Sequence, residues 1–189
     1  MSDRYRNFAD LAADQGRDVD FRVRSADRAT KVVIIAPHGG SIEPETSEIA
    51  EAIAGDELSF YTFEGLRSGA YGDLHITSHR FDEPVALALV GMAETSVAIH
   101  GRKDDGTDTV WLGGRATLLR DAIGASLRNS GFLAELNTRL PGLNEANICN
   151  RTRTGEGVQL ELPRSLRRRL AVDRRDLEAF CLAIQNGIS

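Results

Sequence analysis

Little in this sequence would tie it to a membrane, a nucleic acid or an oxidising compartment. Only two of its 189 residues are lysine, Lys31 and Lys103, and only two are cysteine, Cys149 and Cys181. The cysteines lie apart and match no metal-ligand spacing, so a disulfide framework is excluded and two free thiols are expected. Basic residues number 23 against 28 acidic, a formal charge of −5. That balance argues against a general binder of nucleic acid or anionic lipid. No segment approaches the ~18 apolar residues of a membrane span. The polar opening "MSDRYRNFADLAADQGRD" has no apolar signal core, so a cytoplasmic location is expected. Walker-type loops, dinucleotide fingerprints, internal repeats and low-complexity tracts are missing too.

What is present reads as an α/β domain. An apolar fraction of 41% and a charged fraction of 27% are ordinary for a globular chain. The length suits one domain, 1–189, with residues 1–30 as an N-terminal extension on which no motif falls. Short apolar runs predict strands at Val32–Ala36, Ser59–Phe63, Leu74–Ser78, Ser96–Ile99, Val110–Leu112, Phe132–Leu136 and Val158–Leu162. Helical periodicity falls between several of them: Glu45–Ala54 before Gly55, Glu83–Met92 capped by Asp82, Arg115–Arg128 and Asp173–Asn186. Such alternation predicts an open, mixed and largely parallel sheet flanked by helices, with sites beyond the carboxyl ends of the strands.

Two strand exits carry chemistry. In "KVVIIAPHGGSIEPETSEIAEAIAG" the strand stops at His38, two glycines permit a tight turn, and Glu43 follows five residues on. Across a reversing turn that histidine and carboxylate can converge, whereas on a continuous helix they would diverge. "TSVAIHGRKDD" repeats the pattern with His100 and Gly101. Two strand-terminal imidazoles and a carboxylate make a His₂Glu set, a catalytic zinc shell that leaves one position for water, although Co, Mn or Fe suit the same ligands. His75 and His79 in "LHITSHRFDEP" would stand about 13 Å apart along a regular strand at ~3.3 Å per residue. On that reading His79, beside Arg80, reaches the rim and His75 packs or faces solvent. "GVQLELPRSLR" puts Glu161 in an apolar strand, on the same side as Gln159, where a carboxylate can serve as general base. The loop "NICNRTRTGEG" offers Asn150, Arg151 and Arg153 to an anion or oxyanion. The run Arg164–Leu170 reads as a solvated helix face. An esterase use of "HGGS" fails because no G-x-S-x-G elbow accompanies it.

Together "APHGGSIEPETSEIA", "YTFEGL", "LHITSHRFDEP", "SVAIHG", "NICNR" and "GVQLELPRSLR" resemble the phage and bacterial poly-γ-glutamate hydrolase family, in family order over roughly Lys31 to Arg168. The resemblance implies a fold similar to the zinc carboxypeptidases, Zn2+ on His38, Glu43 and His100, and Glu161 as general base. It also implies contact of Arg151, in the asparagine–arginine word with Asn150, with a substrate carboxylate or oxyanion, and less directly of His79 and Arg80. The expected activity is cleavage of an amide beside a glutamate-like carboxylate. An N-formylglutamate-type amidohydrolase and a non-catalytic metal-containing anion-binding module are the alternatives.

Overall fold

An apolar run such as VVIIA is driven to the interior, and here it forms the second strand of the sheet. The computed structural model describes residues 3–189. In chain order the elements are α1 (Phe8–Asp14), β1 (Phe21–Ala26), β2 (Val32–Gly40), α2 (Thr46–Ala54), β3 (Ser59–Gly65), α3 (Ala70–Leu74) and α4 (Pro84–Met92). There follow β4 (Thr95–Arg102), β5 (Val110–Gly114), α5 (Thr117–Asn129), β6 (Ala134–Leu136), β7 (Val158–Pro163), α6 (Arg164–Val172) and α7 (Arg174–Ile188). The strands form one sheet in the order β1-β3-β2-β4-β7-β5-β6. Its central members β3, β2, β4 and β7 are parallel, whereas β1 runs antiparallel to β3, β5 runs antiparallel to β7, and β6 is parallel to β5. This is the expected open mixed sheet.

Parallel strands need cover on both faces, and two apolar clusters supply it. On one side Ile34, Val97 and Leu160 pack with Ile49, Ile123, Leu166 and Phe180 of α2, α5, α6 and α7. On the other, Val33, Ile35, Tyr61 and Phe63 pack with Leu11, Leu74, Phe81 and Leu89. From β2 the chain crosses to β3 on one side and later returns to β4 on the other. Their carboxyl ends therefore flank a switch point, where such sheets open a crevice. In β2 the register with β3 shifts between Ala36 and Gly39. Pro37, which has no N–H to give the ladder, sits in that break, and the irregularity re-aims His38.

Several expectations need correction. Leu74–Ser78 is not a strand: Leu74 ends α3, and the residues after it pair with no other strand. Its alternation arises because Leu74 and Ile76 both plug the core from a loop, while the Thr77 N–H donates to Asp3 at 2.9 Å. Asp82 does not cap α4. Glu83 does, accepting from the Ala86 N–H at 2.9 Å, while Asp82 accepts from the Phe8 N–H. Only Ala134–Leu136 of the Phe132–Leu136 run is paired. Residues 1 and 2 of the supposed extension lie outside the described residues, but the rest of it belongs to the fold. β1 pairs with β3, and Phe8, Phe21 and Phe63 stack within 5.1–6.1 Å of one another. The arginine run does form a helix, yet Arg167 is buried in it. Both cysteines are free and buried, and burial pushes their thiols up to about 12 for Cys149 and about 11 for Cys181.

Candidate active site

The crevice at the ends of β2 and β4 collects the residues that the two strand exits singled out. His38 is 2% exposed, His100 3%, and Glu43 and Glu161 7% each. Burial this deep for four titratable groups requires that they satisfy one another or a ligand. His38 Nδ1 lies 3.3 Å from Glu43 Oε1 and 3.2 Å from His100 Nδ1, and His100 Nδ1 lies 3.6 Å from Glu43 Oε2. Ligands bound at about 2.0–2.1 Å in a tetrahedron are separated by about 3.3–3.4 Å. The two Nδ1 atoms and the Glu43 carboxylate, whose two oxygens each face one histidine, therefore fit around a single small divalent cation.

Local structure explains the convergence. The Glu43 N–H donates to the His38 carbonyl at 2.8 Å, which closes the turn. Gly39 is required there because a Cβ would strike Ser47 Oγ and Thr62 Oγ1. Glu43 is aimed by the Gly101 N–H, which donates to its Oε2 at 2.7 Å. Gly101 is needed for a different reason: a Cβ would meet the Arg167 guanidinium at 2.7 Å. The second "histidine–glycine" word is thus a seat for a buried arginine and not a tight turn. His38 Nε2 is 2.8 Å from the Ile76 carbonyl. Donation there fixes the tautomer and turns the Nδ1 lone pair toward the cluster, as metal-binding histidines require. His100 Nε2 is buried without a hydrogen-bond partner.

Glu161 stands beside this group because β4 and β7 are in register, His100 opposite Glu161. Its Oε1 accepts from Gln159 Nε2 at 2.7 Å, and Gln159 in turn accepts from Asn147 Nδ2 at 2.9 Å. Burial raises the Glu161 carboxyl above its ordinary range despite the opposing charge of His100. Burial also acts to raise Glu43, but the His38 charge and hydrogen bonds from His100 and His38 outweigh it and hold Glu43 well below that range. For His100 burial acts downward, yet the Glu43 hydrogen bond and the Glu161 charge carry it above the usual imidazole value. Two carboxylates of one buried site are thus pushed in opposite directions, the arrangement that separates a ligand from a proton carrier.

The sequence missed His75. Its ring centroid is 4.2 Å from that of His38 and 5.0 Å from that of Tyr71. One ligand atom each of His38, Glu43 and His75 lies within 4.8 Å of the other two, so His75 is a further residue that could join a shared ion. His75 Nδ1 is 2.9 Å from Asp3 Oδ1. An acid from the N-terminal segment therefore orients a histidine on the cavity wall. No local signal could show this, since the pair spans more than seventy residues.

The anion-binding candidates separate. His79 lines the cavity, but Arg80, Asn150 and Arg151 do not. Asn150 uses both ends of its amide on backbone: Nδ2 donates to the carbonyls of Gly142 and Asn144, and Oδ1 accepts from the N–H groups of Arg115 and Gly157. Arg151 Nε donates to the Ala146 carbonyl at 2.9 Å. Both residues tie down the loop whose residues Arg139–Asn144 and Asn147 line the cavity, and neither is itself among the lining residues. The cavity has a volume of about 1010 Å³ and is lined also by Lys103, Arg139 and Arg164.

The mixed α/β sheet, with a buried His–Glu–His cluster and an adjacent carboxylate at its switch point, has the carboxypeptidase-like fold, and its family makes it a hydrolase acting on amide bonds. The chain belongs to the poly-gamma-glutamate hydrolase family, whose family model matches residues 5–178. It is 38% identical to the SPbeta prophage-derived UPF0714 protein YoqZ of Bacillus subtilis (strain 168), over 98% of this chain and 66% of that protein. The chain thus spans about two thirds of the length of that curated relative. A bacteriophage poly-gamma-glutamate hydrolase superposes with a TM-score of 0.94 at 29% identity, covering 99% of this chain and 97% of the other. YndL in a zinc-free form gives 0.92 at 31%, covering 99% and 98%. An N-formylglutamate amidohydrolase from Ralstonia eutropha JMP134, at 0.55 and 14% over 87% and 96%, shares the fold alone. Among the described residues no helix is long and apolar enough to cross a membrane.

Proposed function

We propose that this chain hydrolyses γ-glutamyl amide bonds with zinc held by His38, Glu43 and His100 and with Glu161 as the general base. The observation that carries the reading is the 3.2–3.6 Å spacing of the three buried donor groups next to a carboxyl raised by burial. When bound, zinc supplies a Lewis-acidic centre that brings the pKa of water from 15.7 toward about 7. Glu161 accepts the proton of the attacking water at its carboxylate and passes it to the departing nitrogen. A carboxyl with a raised pKa suits both halves of that transfer, since it holds a proton long enough to return it. Gln159, tied to Asn147, keeps the carboxylate aimed. His38, pinned through Nε2, and Glu43, pinned by the Gly101 N–H, keep their donor atoms in place without reorganisation.

The family and the cavity both support this substrate class. A volume of about 1010 Å³ stands at the upper end of the roughly 300–1,000 Å³ typical of small-molecule sites. That is more room than a formylated amino acid needs, and it favours a polymer. The deciding experiment is amine release from γ-glutamyl polymer before and after chelation, paired with elemental analysis. Glu161→Gln retains zinc and loses turnover by about 100-fold or more; full activity in that variant removes the base assignment. His38→Ala loses the metal, and an unaltered zinc content refutes the ligand set.

A further inference from the structure

The cavity is more basic than the protein that contains it. Five basic and three acidic side chains line it, in a chain where acids outnumber bases 28 to 23. Two of the five are committed to the fold. Arg102 stacks on Trp111 at 3.9 Å and donates to the carbonyls of Lys103 and Thr109. Arg167 donates to the Leu162 and Pro44 carbonyls and pairs with Glu45. Lys103, Arg139 and Arg164 are different. They come from three separate segments (the exit of β4, the loop after β6 and the first residue of α6), and all three are exposed. None has an ion-pair partner within 4 Å among the described residues. Asp104, the exposed acid among them, accepts from the Ser165 N–H at 2.8 Å.

We propose that Lys103, Arg139 and Arg164 form a carboxylate-binding rim that holds the glutamyl units flanking the scissile bond. The inference rests on the polyglutamate reading and extends it to the residues that select a polymer. A γ-linked chain leaves one free α-carboxylate on every unit, so a bound segment presents anions at regular intervals on either side of the reacting amide. The metal cluster can meet only the reacting unit. Unpaired cations lining the same cavity meet the others at little desolvation cost, because each remains in water until the polymer arrives. An exposed ion pair is weak by itself, so three together decide affinity while one alone does not.

The test measures binding of γ-glutamyl polymer to zinc-loaded Glu161→Gln protein, which prevents cleavage. In that background Lys103→Gln, Arg139→Gln and Arg164→Gln combined weaken binding about tenfold or more at low salt, and the difference closes at high salt. A matched set, Arg6→Gln, Lys31→Gln and Arg174→Gln, removes the same charge from side chains 80–90% exposed elsewhere and leaves binding unchanged. Arg139→Gln alone, on a loop where folding is not at risk, costs up to about fivefold. Equal losses in both triple variants, an unweakened rim triple, or a parent that does not retain polymer each overturn the proposal. Amine release by the unsubstituted enzyme separates the two claims. Cleavage with rim-independent binding sinks the rim alone, and rim-dependent binding without cleavage sinks the hydrolase reading alone.

Discussion

Two segments, His75–His79 on the cavity and Ile148–Arg151 just beyond its lining residue Asn147, have roles that reverse what their residue types suggest. The second carries an asparagine–arginine word and looks like an anion clamp. In the fold Asn150 spends both ends of its amide on main-chain groups, and Arg151 spends its Nε on the Ala146 carbonyl. The first looks like the inside of a strand. In the fold it brings His75 against His38, gives the Ile76 carbonyl to His38 Nε2, and receives Asp3 as a brace. A side chain such as Asn150, whose amide is consumed by backbone, is scaffold whatever its chemistry; one that keeps a polar edge on the cavity remains available for function.

The sharpest way to break that comparison is Asn150→Ala. It strips partners from two carbonyls and two N–H groups at a site 2% exposed. Unfolding free energy falls by about 2–4 kcal/mol, read as a denaturation midpoint, while the surviving folded fraction keeps its zinc. A variant of normal stability with lost substrate affinity would restore the clamp. Next comes His75→Gln or Asp3→Asn. Partners that orient a metal site are worth about 10–100-fold in metal affinity or activity, here measured by zinc competition; unaltered affinity and turnover would return His75 to the status of packing.

A smaller effect is electrostatic. Burial, reinforced by the charge of His38, lowers the His75 imidazole to about 4 from an ordinary 6.5. The unfolded chain takes up that proton first, so the metal-free protein has the full contribution above pH 6.5 and loses it as pH falls through about 4. Stability of the metal-free protein declines across that window, and His75→Gln flattens the slope. A slope that persists unchanged in the variant assigns it to another group. The smallest effects belong to the arginines. Arg151→Ala costs about 1 kcal/mol of stability and less than twofold in turnover. Arg80→Ala, exposed and off the cavity, changes neither. A roughly tenfold loss of turnover in either variant would put that arginine back on the substrate.

The strand exits were legible because their information is local. An apolar run ending in His38 or His100, followed by glycine, predicts where a side chain emerges, and the crossover pattern predicts which end of the sheet it emerges from. Gln159 and Glu161 on one side of an apolar strand likewise follow from a two-residue period. Misreadings came where one pattern serves two structures. Leu74 and Ile76 alternate as they would in a strand, yet they fill the core from a loop. The run before Lys31 carries no chemical word, yet Tyr5, Leu11 and Phe21 are core residues.

By itself the sequence determined the class of fold, the three side chains that could share a cation, and the carboxylate on the apolar strand. Only the tertiary structure decided that His100 stands in register with Glu161, that Asp3 reaches His75, and that Arg102 and Arg167 are spent while Lys103, Arg139 and Arg164 have no ion-pair partner among the described residues. The reason is the range of the forces involved. Periodicity and turn chemistry act over a few residues, whereas the direction of a proton shift and the availability of a charge depend on what the folded chain places alongside.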